Sequence, residues 1–229
     1  MLTAKENKLC YASPEQREIL VTLAVHNILP KDFFLTGGTA LSVFFLHHRQ
    51  SNDLDFFTTN RIDLSEIDFQ IKTIWKRNYV KIKYSPDFLS LLLRNVKVDF
   101  VIDELSTVGR RMQYVLEPQA IIYLDFLDNI LSNKFCTLAS RTEPKDFIDF
   151  YYLYHALSDS SFTQIYSSAL KKDAIFEDPP TVAFQIEQGV SFFENNPQTR
   201  PELKVEFNIT ELLLFYENLT EWIYKEAIP

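Results

Sequence analysis

The 229-residue sequence predicts an α+β chain, with a mixed β-sheet and helices over residues 1–115 and a helical lobe over residues 116–229. Three observations predict it. The apolar run Phe33-Phe34-Leu35 leads into Gly37-Gly38 and then into a Gly- and Pro-free stretch from Thr39 to His48, the order of a strand, a tight turn and a helix. Three further strand-like runs, Tyr79 to Tyr84, Phe88 to Leu93 and Val96 to Ile102, are separated by Ser85-Pro86-Asp87 and by Arg94-Asn95. From Pro118 onward, apolar residues recur at helical spacing.

Each element has a local reason. Residues 13–29 form a predicted helix, with Ser13 as N-cap, Pro14 at the first helical position, and Ile19, Leu20, Leu23 and Ile28 on one side. After the Gly-Gly turn and its helix, Asn52 to Phe57 reads as a second strand, whose alternation turns Asp53 and Asp55 to one face and Leu54 and Phe56 to the other. A helix from Asp63 to about Asn78 carries Ile67, Ile71, Ile74 and Trp75 on its apolar side. The three runs that follow suggest an antiparallel meander beside the first two strands, giving a mixed sheet with helices on its covered side. In the second half, Leu127, Ile130, Leu131, Phe135 and Leu138 trace one helical stripe over 124–141, and another helix starts at Lys145. Glu177-Asp178-Pro179-Pro180 and Asn195-Asn196-Pro197 break the remainder into helical segments, the last with a broad apolar surface from Ile209 to Ile223.

Composition excludes several classes. No window approaches a membrane-spanning apolar length, and the N-terminal residues lack the apolar core of a signal peptide, so a soluble, cytoplasmic protein is expected. Cys10 and Cys136 match no metal spacing, and His26, His47, His48 and His155 form no ligand pattern. A formal charge of −8 argues against a general grip on nucleic acid, which depends on many basic groups neutralising phosphates. A local patch is still available in Lys72, Lys76, Arg77, Lys81 and Lys83. Lys81 and Lys83 are expected on one strand face, either as a nucleic-acid contact or as a solvated surface.

The candidate site begins at Gly37 and Gly38. In a chain with only four glycines, two side by side indicate a sharp turn or a close backbone approach to a ligand, and amides at a helix start suit an anion. Asp53 and Asp55, side by side on a strand, repel each other unless a cation lies between them, and their hard oxygens suit Mg²⁺. Asp99 lies in the middle of the apolar run Val96 to Ile102, where an acid is costly unless paired or metal-bound. A strand-edge Asp facing water explains it too, and Asp103 is the rival on the same face.

The pattern Thr36-Gly37-Gly38-Thr39-Ala40-Leu41, followed by His48-Arg49-x-Ser51-x-Asp53-Leu54-Asp55-Phe56, resembles the AbiEii/AbiGii family of nucleotidyltransferase toxins within the DNA polymerase beta-like superfamily. Lys134, Ala139, Arg141 and the run Lys145-Asp146-Phe147-Ile148-Asp149 resemble that family's second block. The resemblance implies a nucleotidyltransferase fold followed by a helical lobe that completes the active-site cleft. It implies transfer of an NMP from an NTP to an acceptor hydroxyl with Mg²⁺ or Mn²⁺. Asp53, Asp55 and Asp99 would be metal ligands; Gly37, Gly38, Thr39 and Ser51 would bind the nucleotide. Lys134 and Asp146, with Asp149 beside them, would assist catalysis and nucleotide handling. The implied acceptor is RNA, chiefly the 3′ end of tRNA, and the implied partner is a cognate antitoxin. The alternative is a nucleotide-binding regulatory protein that keeps a degenerate transferase fold.

Overall fold

The structure, a computed structural model, describes residues 2–106, 109, 111–157 and 160–227. The chain forms two compact units, Thr3–Phe126 and Leu127–Pro229 with Met1–Leu2.

The first unit is built on a seven-stranded mixed sheet: β1 Phe34–Thr36, β2 Leu54–Thr58, β3 Tyr79–Ser85, β4 Phe88–Leu93, β5 Val96–Ile102, β6 Met112–Glu117 and β7 Ala120–Leu124. Their order is β3-β4-β5-β2-β1-β7-β6. The meander β3-β4-β5 is antiparallel as expected, and β5 runs parallel to β2. Alternation divides the sheet cleanly. Leu54, Phe56, Val98 and Phe100 are fully buried on one face. The Phe56 and Phe100 rings stack at 5.5 Å, and Phe33 meets Phe100 edge-on at 5.8 Å. Helix α1, Pro14–Val25, contacts β7, and α3, Leu64–Trp75, contacts β4. Both start as the sequence predicts: Ser13 caps α1 with Pro14 in its first turn, and Asp63 accepts the Ser65 amide at 2.9 Å. Helix α2 starts at Gly37 itself, runs as Gly37–Thr39, continues as π-type turns over Ala40–Leu46, and stops at His47 in the left-handed conformation.

The structure departs from the sequence pattern at two places. The sequence pattern turns helical at Pro118, yet Ala120–Leu124 is a strand in a hairpin with Met112–Glu117. Ala120, Ile122 and Leu124 are buried while Ile121 is 40% exposed, a period of two that a short apolar run does not distinguish from a helix until its neighbours are known. Lys81 and Lys83 do not share a face. A register shift between them sets Lys81 opposite Leu91 and Lys83 opposite Ser90, which are consecutive and therefore point to opposite sides. Lys81 pairs with Asp68 of α3 at 2.5 Å.

The second unit holds α4 Leu127–Ser140, α5 Pro144–Ala156, α6 Phe162–Leu170, α7 Pro179–Asn195 and α8 Ile209–Glu226. The predicted breakers fall between them: Asp178 caps α7 with Pro179 at its start, and Asn208 caps α8. Their apolar faces meet in an aromatic core in which Phe135 stacks on Phe150 at 5.3 Å and the buried Tyr216 donates to the Phe147 carbonyl at 2.7 Å. Gly189 lets α7 approach α5, since a Cβ there would lie 2.2 Å from Phe147 Cζ.

Candidate active site

The site begins at the C-terminal end of β1, where the extended Thr36 passes into Gly37 with φ of +66°. Only glycine takes that conformation without strain. Space enforces the same choice, because a Cβ on Gly37 would stand 2.7 Å from Asp55 Oδ2. A Cβ on Gly38 would stand 2.7 Å from Arg49 Nη2 and 3.0 Å from Ser51 Oγ. The turn is thus pressed by a carboxylate on one side and by a guanidinium and a hydroxyl on the other. Both glycines are half-exposed, whereas Arg49 and Ser51 are buried.

The return of the chain into β2 is fixed from below. Gln16 of α1, fully buried, donates through Nε2 to the Asp53 carbonyl at 3.0 Å and to Thr39 Oγ1 at 3.3 Å. The buried Thr39 hydroxyl lies 2.9 Å from Ser51 Oγ and also reaches the Asp53 carbonyl. Ser51 is bonded through its backbone to Cys10 and Ala12. Thr39 and Ser51 are therefore part of the scaffold that sets Asp53 in place, and Asp53 and Asp55 remain half-exposed on the face opposite Leu54 and Phe56.

In the registers, Ser90 of β4, Asp99 of β5, Asp55 of β2 and Thr36 of β1 are successive cross-strand partners, a single row across four strands on one face. Asp99, the buried acid of β5, is thereby the direct neighbour of Asp55. Ser90 donates to Asp99 Oδ1 at 2.6 Å, and Lys97 Nζ lies 2.6 Å from Oδ2. Partial burial pulls the Lys97 ammonium down, but the Asp99 bond and the charges of Asp99, Asp53 and Asp55 outweigh this and hold it above its ordinary value. One cation thus feels all three carboxylates. Asp103, the rival third acid, lies past the strand end, where it accepts the Leu105 amide at 3.1 Å and the Ser106 hydroxyl at 2.6 Å. Its carboxylate makes a local turn.

The carboxylates and the glycine cradle beside Asp55 suit a hard divalent cation by chemistry. Among the described residues, no three His, Cys, Asp or Glu side chains converge closely enough to form a metal cluster in this arrangement.

The second predicted block folds into one buried ion cluster in the helical unit. Lys134 of α4 reaches Asp146 Oδ1 and Asp149 Oδ2 of α5, both at 2.7 Å, and Arg141 Nε reaches Asp146 Oδ2 at 2.7 Å. Both carboxylates are fully buried, and the Lys134 side chain is 7% exposed. Burial pushes the Asp146 carboxyl up, but Lys134 and Arg141 overcome it and hold the group below its ordinary value.

Arg49 stands in the family-like pattern without a role of its own, and Gln16, Lys97 and Asp125 lie outside the site that the sequence predicts. Lys97 was open to detection, because it alternates with Asp99 on one strand face. Gln16 reads as an ordinary helix residue.

The mixed sheet, the Gly-Gly turn at a strand end and the acidic row define a nucleotidyltransferase fold. The crystal structure of JHP933 from Helicobacter pylori shares it, with 15% identity, a TM-score of 0.55, and coverage of 97% of this chain and 95% of that one. MenT4, a nucleotidyltransferase toxin from Mycobacterium tuberculosis, shares it with 11% identity, a TM-score of 0.50, and coverage of 92% and 82%. Residues 18–78 match the family described as nucleotidyl transferase AbiEii toxin, type IV TA system, which bears out the resemblance carried by Gly37, Gly38, Asp53 and Asp55. Over those residues the chain is similar to the AbiEii family, and its fold is that of the nucleotidyltransferases. No curated protein matches the sequence. Among the described residues, no helix is long and apolar enough to cross a membrane.

Proposed function

We propose that this chain transfers an NMP from an NTP to an acceptor hydroxyl in a reaction dependent on Mg²⁺ or Mn²⁺. The acceptor proposed is an RNA 3′ end, that of tRNA in first place, and the setting is a toxin–antitoxin system with a cognate antitoxin protein. The observation that carries the reading is the in-register pairing of Asp55 with Asp99 beside a glycine turn that has no room for a side chain.

Asp53, Asp55 and Asp99 would hold the divalent ion, which supplies charge neutralisation for the triphosphate and for the attacking oxygen. Gly37 and Gly38 bring backbone amides to the phosphates, and Arg49, packed against Gly38, adds a fixed cation there. The acceptor oxygen attacks the α-phosphorus and the bond to the β-phosphate oxygen breaks. Pyrophosphate leaves with the bonding pair, while Asp99 helps to draw off the hydroxyl proton. By the family resemblance Lys134 would neutralise leaving-group charge, with Asp146 and Asp149 fixing its ammonium.

The test supplies each labelled NTP singly with Mg²⁺ and total RNA, comparing wild type with Asp53→Ala. Label on an RNA band, absent with the variant and after chelation, supports the reading. Label on protein or on a small hydroxyl compound alone removes RNA as acceptor. No transfer to any acceptor, with Mg²⁺-independent NTP binding, turns the reading to the regulatory alternative.

A further inference from the structure

We infer that Asp125 is a positioning residue for the Gly37-Gly38 turn, acting through Thr36 and held in turn by Arg111; the inference rests on the proposed nucleotide site. Asp125 directly follows β7, which runs parallel to β1 with Leu124 opposite Leu35. Its amide donates to the Leu35 carbonyl at 2.9 Å, carrying the pairing one residue beyond the strand and placing Asp125 level with Thr36. Asp125 thereby extends the row of Ser90, Asp99, Asp55 and Thr36 to a fifth strand.

The carboxylate is fully buried. The Thr36 hydroxyl donates to its Oδ2 at 2.7 Å, and the Phe126 amide donates to its Oδ1 at 3.0 Å. Thr36 stands at the N-cap of α2, where a threonine hydroxyl ordinarily accepts from an amide of the first turn, yet its side chain makes no capping bond. Asp125 takes that hydroxyl away from the helix and fixes the last residue before Gly37.

A buried carboxylate needs a counter-charge, and Arg111 supplies it with Nε 3.3 Å from Oδ1 and a side chain 10% exposed. The guanidinium is sandwiched between Phe34 of β1 and Phe126, with its carbon 3.8 Å and 4.3 Å from the two ring centres. Among the described residues neither Nε nor Nη1 of Arg111 has a hydrogen-bond acceptor, so the group is held by ring faces and Coulomb attraction, while Asp125 accepts from Thr36 and Phe126. Phe34, Thr36, Asp125 and Arg111 make one rigid support behind the turn, on the side away from Asp55.

The test compares Thr36→Val, Thr36→Ser and Asp125→Asn with wild type, after circular dichroism has shown each to be folded. Two readouts are taken: affinity for Mg–ATP, Mg–GTP, Mg–CTP and Mg–UTP singly, and amide exchange at Gly37 and Gly38. Losing a hydrogen bond to a charged group predicts about tenfold weaker NTP binding in Thr36→Val, with faster exchange at both glycines. Thr36→Ser, which keeps the hydroxyl, recovers both, and Asp125→Asn follows Thr36→Val. A lowered melting temperature with unchanged affinity and unchanged exchange means that Asp125 only stabilises the fold, and overturns the inference. If wild type binds no NTP, the nucleotide reading falls while exchange at Gly37 and Gly38 still decides whether Thr36 and Asp125 hold the turn.

Discussion

Asp55 and Asp99 are direct partners across the parallel strands β2 and β5, two carboxylates on one face of one sheet. Side by side they repel, and Ser90 and Lys97 both bond Asp99, with the Lys97 charge felt by Asp55 as well. Asp55→Asn and Asp99→Asn should each reduce label transfer by about a hundredfold or more, the equivalent of some 2.7 kcal/mol of barrier. Asp99→Asn gives up the Lys97 ion pair, so its melting temperature should fall further than that of Asp55→Asn. Asp103→Asn, which disturbs only a local turn, should keep activity within about threefold. Transfer assays and thermal melts on the same three preparations check this, and an inactive Asp103→Asn beside an active Asp99→Asn would reverse the assignment.

The two glycines should respond differently to alanine. Gly37→Ala forces a side chain into a left-handed conformation and against Asp55, at a cost of about 1–2 kcal/mol before Asp55 moves. Gly38→Ala needs no left-handed backbone and meets only side-chain ends, Arg49 Nη2 and Ser51 Oγ. Urea melts should therefore rank Gly37→Ala as the less stable variant, whereas both should lose NTP affinity. Equal stability of the two would mean that Asp55 yields freely to a Cβ.

The parts of this site legible in the sequence are those within one turn of chain. Gly37-Gly38 and Asp53-Leu54-Asp55 announce themselves by rarity and by alternation. Asp99 stands out because acids do not belong in the middle of a buried run. What pairs with what is decided by tertiary contacts. The apolar residues 120–124 are too few to separate strand from helix, and with that strand missed, Asp125 loses its place beside Thr36. The register shift on β3 has no mark in Lys81-Ile82-Lys83, although it sends the two lysines to opposite faces. In the helical unit the spacing of Lys134, Arg141, Asp146 and Asp149 is visible, but their closure into a buried ion cluster depends on how α4 meets α5.

Among the described residues that cluster sets Lys134 and Arg141 against Asp146 and Asp149, and removing Lys134 takes a counter-charge from both buried carboxylates. Lys134→Met should destabilise the helical unit by about 3–5 kcal/mol, the scale expected when a buried charge loses its partner. Lys134→Met combined with Asp149→Leu should recover much of that loss. If the double variant regains its melting temperature but not its transfer rate, Lys134 acts on the reaction as well as on the fold. If both return together, its role is structural. Urea unfolding monitored alongside label transfer separates the two.

The same cluster sets an acid limit. Lys134 and Arg141 hold the Asp146 carboxyl below the ordinary 3.8 despite its burial, so the folded state binds this proton less readily than the unfolded chain does. The stabilisation is complete above the unfolded-state value and drains away as pH falls from there through the lower folded value. Melting temperatures of wild type should hold steady above about pH 5 and drop steeply below about pH 4. Asp146→Asn, with no proton to take up, should start from lower stability at pH 7 and show a shallower acid decline. A wild-type curve parallel to that of Asp146→Asn across this range would place the acid sensitivity in other carboxylates.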